Sequence, residues 1–317
     1  MRRIVGLALV LLGAFALCFA VLSRTMVSEQ LLVTPLNQFS EVVSSGSGTY
    51  LDTSTFREAS SDLVAKRTVR GDVKGSPDNE DVNVWDVSVV LETGDGTFVR
   101  AYVDRVAADR RTGESVSCCN ENVDGTAVKH TGLSYKFPIG VEKQEYLLWD
   151  PNSRKSFPAK FIAEDDVKGL KTYKFIQQIP GQELRRQAVP GRLLGDSAPT
   201  VDAQVWYQNT RTIWVEPGTG VIVKGNEQNR TTLRDATGAD KLSIISFDLT
   251  FNDATQSRQV DLAEENLAKV RLLSQWLPLG SLILGLLALG AGLLMLRGER
   301  ARPAAPAERD PAPEKVS

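Results

Sequence analysis

Two long uncharged runs, one near each end, decide most of what this chain can become. Ile4–Leu22 is 19 residues without a charge, and Trp276–Leu296 is 21. As helices they extend about 28 and 32 Å, enough to cross a hydrocarbon core of roughly 30 Å. A buried helix of a soluble protein normally keeps a polar face, which the second run lacks. Trp276 at one margin and Arg297, Arg300 and Arg302 at the other match the flanks of a span.

The first run admits other readings, a cleaved signal peptide or a lipoprotein signal ending at Cys18. It is longer than the usual apolar stretch of a signal peptide, and Leu17 stands where lipoprotein processing wants a small residue. An uncleaved signal anchor is therefore expected. Arg2 and Arg3 place the N-terminus in the cytoplasm, and the Arg297–Arg302 cluster places the C-terminus there as well. The expected organisation is a cytoplasmic N-terminus at 1–3, a span at 4–22, an extracytoplasmic domain at 23–275, a span at 276–296 and a disordered Pro/Ala-rich tail at 297–317.

Between the runs lie 30 basic and 35 acidic residues, so bulk charge does not favour nucleic acid as a partner. Short Val-, Ile-, Thr- and aromatic-rich runs with Gly/Pro punctuation predict a β-rich, mainly antiparallel domain of α+β type. Val82–Glu92 and Thr97–Val106 flank a Thr93-Gly94-Asp95-Gly96 turn and read as a hairpin. Further strands are expected at Gly132–Phe137, Glu145–Trp149, Ala159–Ala163, Lys171–Gln178, Ala203–Gln208, Thr210–Val215, Val221–Asn226 and Lys241–Asn252. Arg24–Ser44 and Thr255–Ser274 read as stalks, the latter a helix packing on the domain and continuing into the second span. Most strands carry charges on both faces, which argues against a lipid-facing barrel.

Chemistry-bearing residues are few. Cys118 and Cys119 are adjacent; a vicinal disulfide, free thiols or pairing with another chain are all open, and the spacing does not suit a metal. His130 is the only histidine, expected at the surface or a strand end, and it leaves no multi-His metal site. Glu164-Asp165-Asp166 reads as a solvated acidic turn, and Asn229-Arg230-Thr231 fits a glycosylation acceptor. No nucleotide, metalloprotease or serine-hydrolase motif occurs, so neither catalytic residues nor a cofactor are expected.

Three stretches, Arg111–Cys119 (RTGESVSCC), Gly132–Phe175 with its K-F-P…Y…W-D pattern, and Thr212–Gly220 (TIWVEPGTG), together resemble the actinobacterial porin PorA family. The resemblance covers nearly the whole chain and implies a cell-envelope protein with an anchor at each end. In topology alone the chain also resembles the class B scavenger receptors, which carry lipids through an ectodomain cavity. The expected function is thus non-enzymatic, binding or transferring a lipid or other hydrophobic ligand at the plasma membrane. The candidate cavity residues are Phe137, Tyr146, Trp149, Phe161 and Phe175, which equally suit a packed core. A scaffold for another envelope protein, using Gly285, Ala288 and Gly292 for close helix packing, or an oligomeric channel, are the alternatives.

Overall fold

The polar middle of the chain folds around a single sheet whose first and last strands are neighbours at its centre. A computed structural model describes residues 2–24, 32–76 and 81–297. The chain divides into two units, a pair of terminal helices and a strand domain spanning Leu32–Lys269. The predicted tail, apart from Arg297, and most of the first stalk's N-terminal half lie outside the described residues.

In the helical unit, α1 (Arg2–Leu22) packs antiparallel against the helix Leu277–Arg297, here α3. Both are long and apolar enough to cross a membrane. Their contact is built on glycines seven residues apart. A Cβ on Gly13 would sit 2.7 Å from the Leu289 amide nitrogen and 2.9 Å from the Gly285 carbonyl; one on Gly292 would sit 2.7 Å from the Gly6 carbonyl. Gly285 and Gly292 thus make the close approach, while Ala288 is half-exposed.

Among the described residues the strand domain has twelve antiparallel strands: β1 (Phe39–Asp52), β2 (Arg57–Gly71), β3 (Val82–Thr93), β4 (Phe98–Asp109), β5 (Asn122–Val123), β6 (Thr126–Ala127), β7 (Tyr146–Asp150), β8 (Lys155–Val167), β9 (Leu170–Val189), β10 (Val201–Val215), β11 (Ile222–Arg234) and β12 (Asp240–Phe251). Their order is β6-β5-β4-β3-β2-β1-β12-β11-β10-β9-β8-β7. Two meanders therefore join at the β1–β12 pair, and the sheet curls into an open half-barrel with β6 and β7 as its outer strands.

Helix content is small, so the α+β expectation is corrected: the domain is one antiparallel sheet with one packed helix, α2 (Asp253–Arg271), and a short 3-10 turn at Gly191–Leu194. Asn252 starts α2 by accepting the Thr255 amide on its side chain, 2.8 Å, and the Thr255 hydroxyl takes the Val43 amide of β1. Val260 and Ala263 bury against Trp214 and Val223. The helical backbone then continues through a π-turn at Leu272–Trp276 into α3.

The hairpin β3–β4 and the strands from β7 onward follow the hydrophobic alternation. β1 and β2 do not, and were not expected as strands. They are rich in Ser, Gly and charge, and Gly46 lets β1 lie so close to β12 that a Cβ there would strike the Asp248 carbonyl. Ala203–Gln208 and Thr210–Val215, expected as two strands, are one strand with two register shifts. Gly132–Phe137, expected as a strand, is irregular apart from isolated bridges at Leu133.

Candidate functional site

The inner face of the half-barrel carries ionic side chains that the pleat brings together from distant strands. Asp150, at the end of β7, is fully buried and accepts bonds from Tyr207 Oη at 2.9 Å, Arg211 Nη2 at 2.7 Å and the Ser153 amide and hydroxyl. The Arg211 fork also reaches Gln177 Oε1 at 3.2 Å, the Trp149 carbonyl at 3.3 Å and Glu227 Oε1 at 3.3 Å. Gln177, itself fully buried, donates to the Leu148 carbonyl. Asp150 thus balances the Arg211 guanidinium, and Glu227 adds a further negative charge beside it.

A second cluster centres on His130. Its Nδ1 lies 2.7 Å from Glu121 Oε2 and its Nε2 2.8 Å from Asp104 Oδ1, and its ring packs on Trp149 with centroids 4.4 Å apart. The imidazole is buried, not at the surface as expected; the lone histidine in a polar loop gave no signal of the two carboxylates that fold over it. Tyr135 Oη donates to the other Asp104 oxygen at 2.5 Å. Tyr135 holds φ +61°, a left-handed backbone that costs a non-glycine residue about 1–2 kcal/mol, and that turn sets its ring against Arg67.

Burial alone would lower the His130 pKa, but the hydrogen bonds and charges of Asp104 and Glu121 outweigh it and hold it above the ordinary value. A raised folded-state pKa contributes stability in full below the unfolded value of about 6.5 and loses it as pH rises through the folded value. Lys136 has the opposite sign: burial pulls it down to about 8, so its cost is relieved above that pH. The melting temperature of wild type minus that of His130→Gln is therefore expected to shrink as the pH is raised from about 6 to about 9. A difference independent of pH would refute the assignment.

Between the two clusters lies a cleft of about 140 Å³. Apolar side chains including Phe137, Ile213, Ile222 and Phe251 form much of its wall, with Arg67, Tyr102, Tyr135, Lys136, Arg211 and Glu227 supplying the polar part. Arg67 stands between two rings, its guanidinium carbon 5.7 Å from the Tyr135 centroid and 5.9 Å from that of Phe251. A larger open trough of about 890 Å³ is lined by residues of β1, β9, β10, β11 and β12. Its acid, Asp248, is already bonded by Asn226 and Gln228.

Of the aromatic residues picked out by sequence, Phe137, Tyr146 and Phe175 are buried in mutual contact, with centroids 5.0–5.8 Å apart, and Phe161 packs on Phe175. Phe137 and Trp149 also line the cleft. Cys118 and Cys119 form a disulfide with each other, and the Cys119 carbonyl accepts Arg105 Nε. Glu164-Asp165-Asp166 is solvent-exposed as expected but lies in β8, with Asp165 accepting the Trp214 indole N–H at 2.8 Å and Glu164 pairing with Lys143. Asn229 is buried within β11, which leaves no room for a glycan. Arg67, Asp104, Glu121 and Arg211 were missed by sequence reasoning, since isolated charges on alternating strands look like solvent-facing ones; Phe137 and the W-D pair at Trp149-Asp150 pointed to this region.

The fold and site define a class: a curled antiparallel-sheet domain with a charged inner cleft, in a chain bearing two helices long and apolar enough for a membrane. The family model Porin PorA matches residues 5–294, and the chain belongs to that family. It is 25% identical to Porin PorA of Corynebacterium resistens, over 93% of this chain and 97% of that protein. It is 23% identical to Porin PorA of Corynebacterium amycolatum, over 84% and 91%.

Proposed function

We propose that this is a non-enzymatic membrane protein of the cell envelope, in which the two terminal helices tether a sheet domain that binds a small amphipathic molecule in its inner cleft. The observation that carries this reading is the cleft itself, with apolar walls on one part and Arg67, Tyr102 and Tyr135 on another. Its size narrows the expected ligand. Pockets for drug-sized molecules run roughly 300–1,000 Å³, so a cleft of about 140 Å³ suits about ten non-hydrogen atoms and not a two-chain lipid. Lipid transfer is therefore not the reading preferred here.

The non-enzymatic part draws on His130. Both its ring nitrogens are held by carboxylates, so neither faces a substrate as base or acid. The basic flanks of the helices favour cytoplasmic termini and an extracytoplasmic domain.

The family name favours a channel as the second reading. With β6 and β7 unpaired to each other, the sheet is not a closed barrel, and a pore would require several copies to combine. Native mass spectrometry of the full chain released from detergent, beside conductance in planar bilayers, separates the two. A co-purifying species of about ten heavy atoms with no conductance is expected. Stepwise conductance with no bound species would replace the binding reading by a channel.

A further inference from the structure

Among the described residues Arg67 is the cleft cation that no acid touches, although Glu227 of the same wall attracts it from a distance. Arg211, its neighbour in the cleft wall, is matched by Asp150 and Glu227. Arg67 forms no ion pair or side-chain hydrogen bond among the described residues, and its Nε–H is buried without an acceptor. Trp149, in the same wall, also carries a buried indole N–H without an acceptor. A ring face attracts a desolvated cation by about 2 kcal/mol or more but offers its N–H groups no acceptor. The two rings therefore hold Arg67 in place and leave its N–H donors free for an acceptor. Burial draws its pKa below the ordinary guanidinium value, and Glu227 offsets part of that. Lys136, the remaining cation of the wall, donates to the Thr34 hydroxyl and the Arg110 carbonyl and so is already engaged.

We infer that the cleft is selective for a small organic monocarboxylate, its carboxylate received by the Arg67 fork and the Trp149 indole N–H and its apolar body lying against Phe137, Ile222 and Phe251. This rests on the cleft being a binding site, as proposed above, and adds the charge and chemical class of what it holds. A planar fork without an acceptor matches a planar carboxylate in two parallel bonds. The apolar wall sets the preference for an organic anion over a hydrated inorganic one.

The test uses the full-length protein in detergent and titration calorimetry with three probes: benzoate, its neutral isostere benzamide, and inorganic phosphate. Benzoate is expected to bind at least about tenfold more tightly than either of the others, the factor that one charge-assisted pair supplies. Arg67→Met is expected to lose benzoate binding by about ten- to a hundredfold while melting within a few degrees of wild type, because Arg67 makes no ion pair or side-chain hydrogen bond among the described residues. Arg67→Lys is expected to recover part of the affinity. Equal binding of benzoate and benzamide would overturn the carboxylate inference and leave the cleft as a binding site. Benzoate affinity unchanged in Arg67→Met would overturn the role of Arg67. Phosphate binding alone would overturn the organic ligand, and no binding by any probe would overturn this inference together with the binding reading.

Discussion

Arg211→Met is expected to destabilise the strand domain by about 3–5 kcal/mol, the cost of stranding a buried carboxylate. Asp150 is fully buried, and the Arg211 guanidinium 2.7 Å away is its only cationic partner among the described residues. Methionine fills a similar volume but leaves Asp150 to Tyr207 and Ser153 alone and also releases Gln177 and Glu227. Lysine keeps the charge but cannot reach four acceptors on three elements, so Arg211→Lys is expected to recover only part of the loss. Replacing Asp150 by asparagine in the Arg211→Met background removes the stranded charge and is expected to restore stability relative to the single variant. Urea unfolding of the full chain in detergent, followed by tryptophan fluorescence, reads all three. A loss below about 1 kcal/mol for Arg211→Met would mean the carboxylate is solvated or protonated in the fold.

Gly220→Val is expected to cost at least about 3 kcal/mol, or to prevent folding of the half-barrel. Gly220 has φ +73°, a region in which a β-branched residue is strained by about 1–2 kcal/mol or more. Its missing Cβ also matters, because one placed there would strike the carbonyl oxygens of Phe137 and Pro138, which are backbone and cannot swing aside. The turn is otherwise locked: the Glu216 carboxylate takes the Gly218 and Thr219 amides and the Thr219 hydroxyl, and the Val141 amide donates to the Pro217 carbonyl. Gly220→Ala separates the two causes, since it adds the same Cβ with less backbone strain. A melting temperature for Gly220→Val within a few degrees of wild type would mean that the Phe137–Pro138 segment yields, and that the cleft wall is not fixed from this side.

That contact explains why two of the motifs visible in the sequence travel together. The Trp214–Gly220 run and the Lys136-Phe137-Pro138 run are about 80 residues apart in the chain and meet at Gly220. Trp149-Asp150, the third element of the pattern, supplies the ring that packs on His130 and the carboxylate that holds Arg211. As a pattern these residues identified the family; their roles became visible only once the sheet curled.

What the sequence determined by itself rests on local physics. Nineteen and 21 uncharged residues in a row leave a backbone little choice but helix, and Gly285 and Gly292 mark where another helix approaches. Alternation with a Gly-rich turn dictates the β3–β4 hairpin, and the helical spacing of Val260 and Leu267 dictates α2. The tertiary structure alone decided the rest. Ser/Gly-rich β1 and β2 are strands because β12 and β3 pair with them, not because their composition asks for it. His130, Arg67 and Arg211 are ordinary polar residues of a surface strand or loop until strands far apart in sequence curl their faces together. Whether such a charge is solvated, matched or left without a partner is set by burial and by neighbours across the sheet, and no local pattern encodes either.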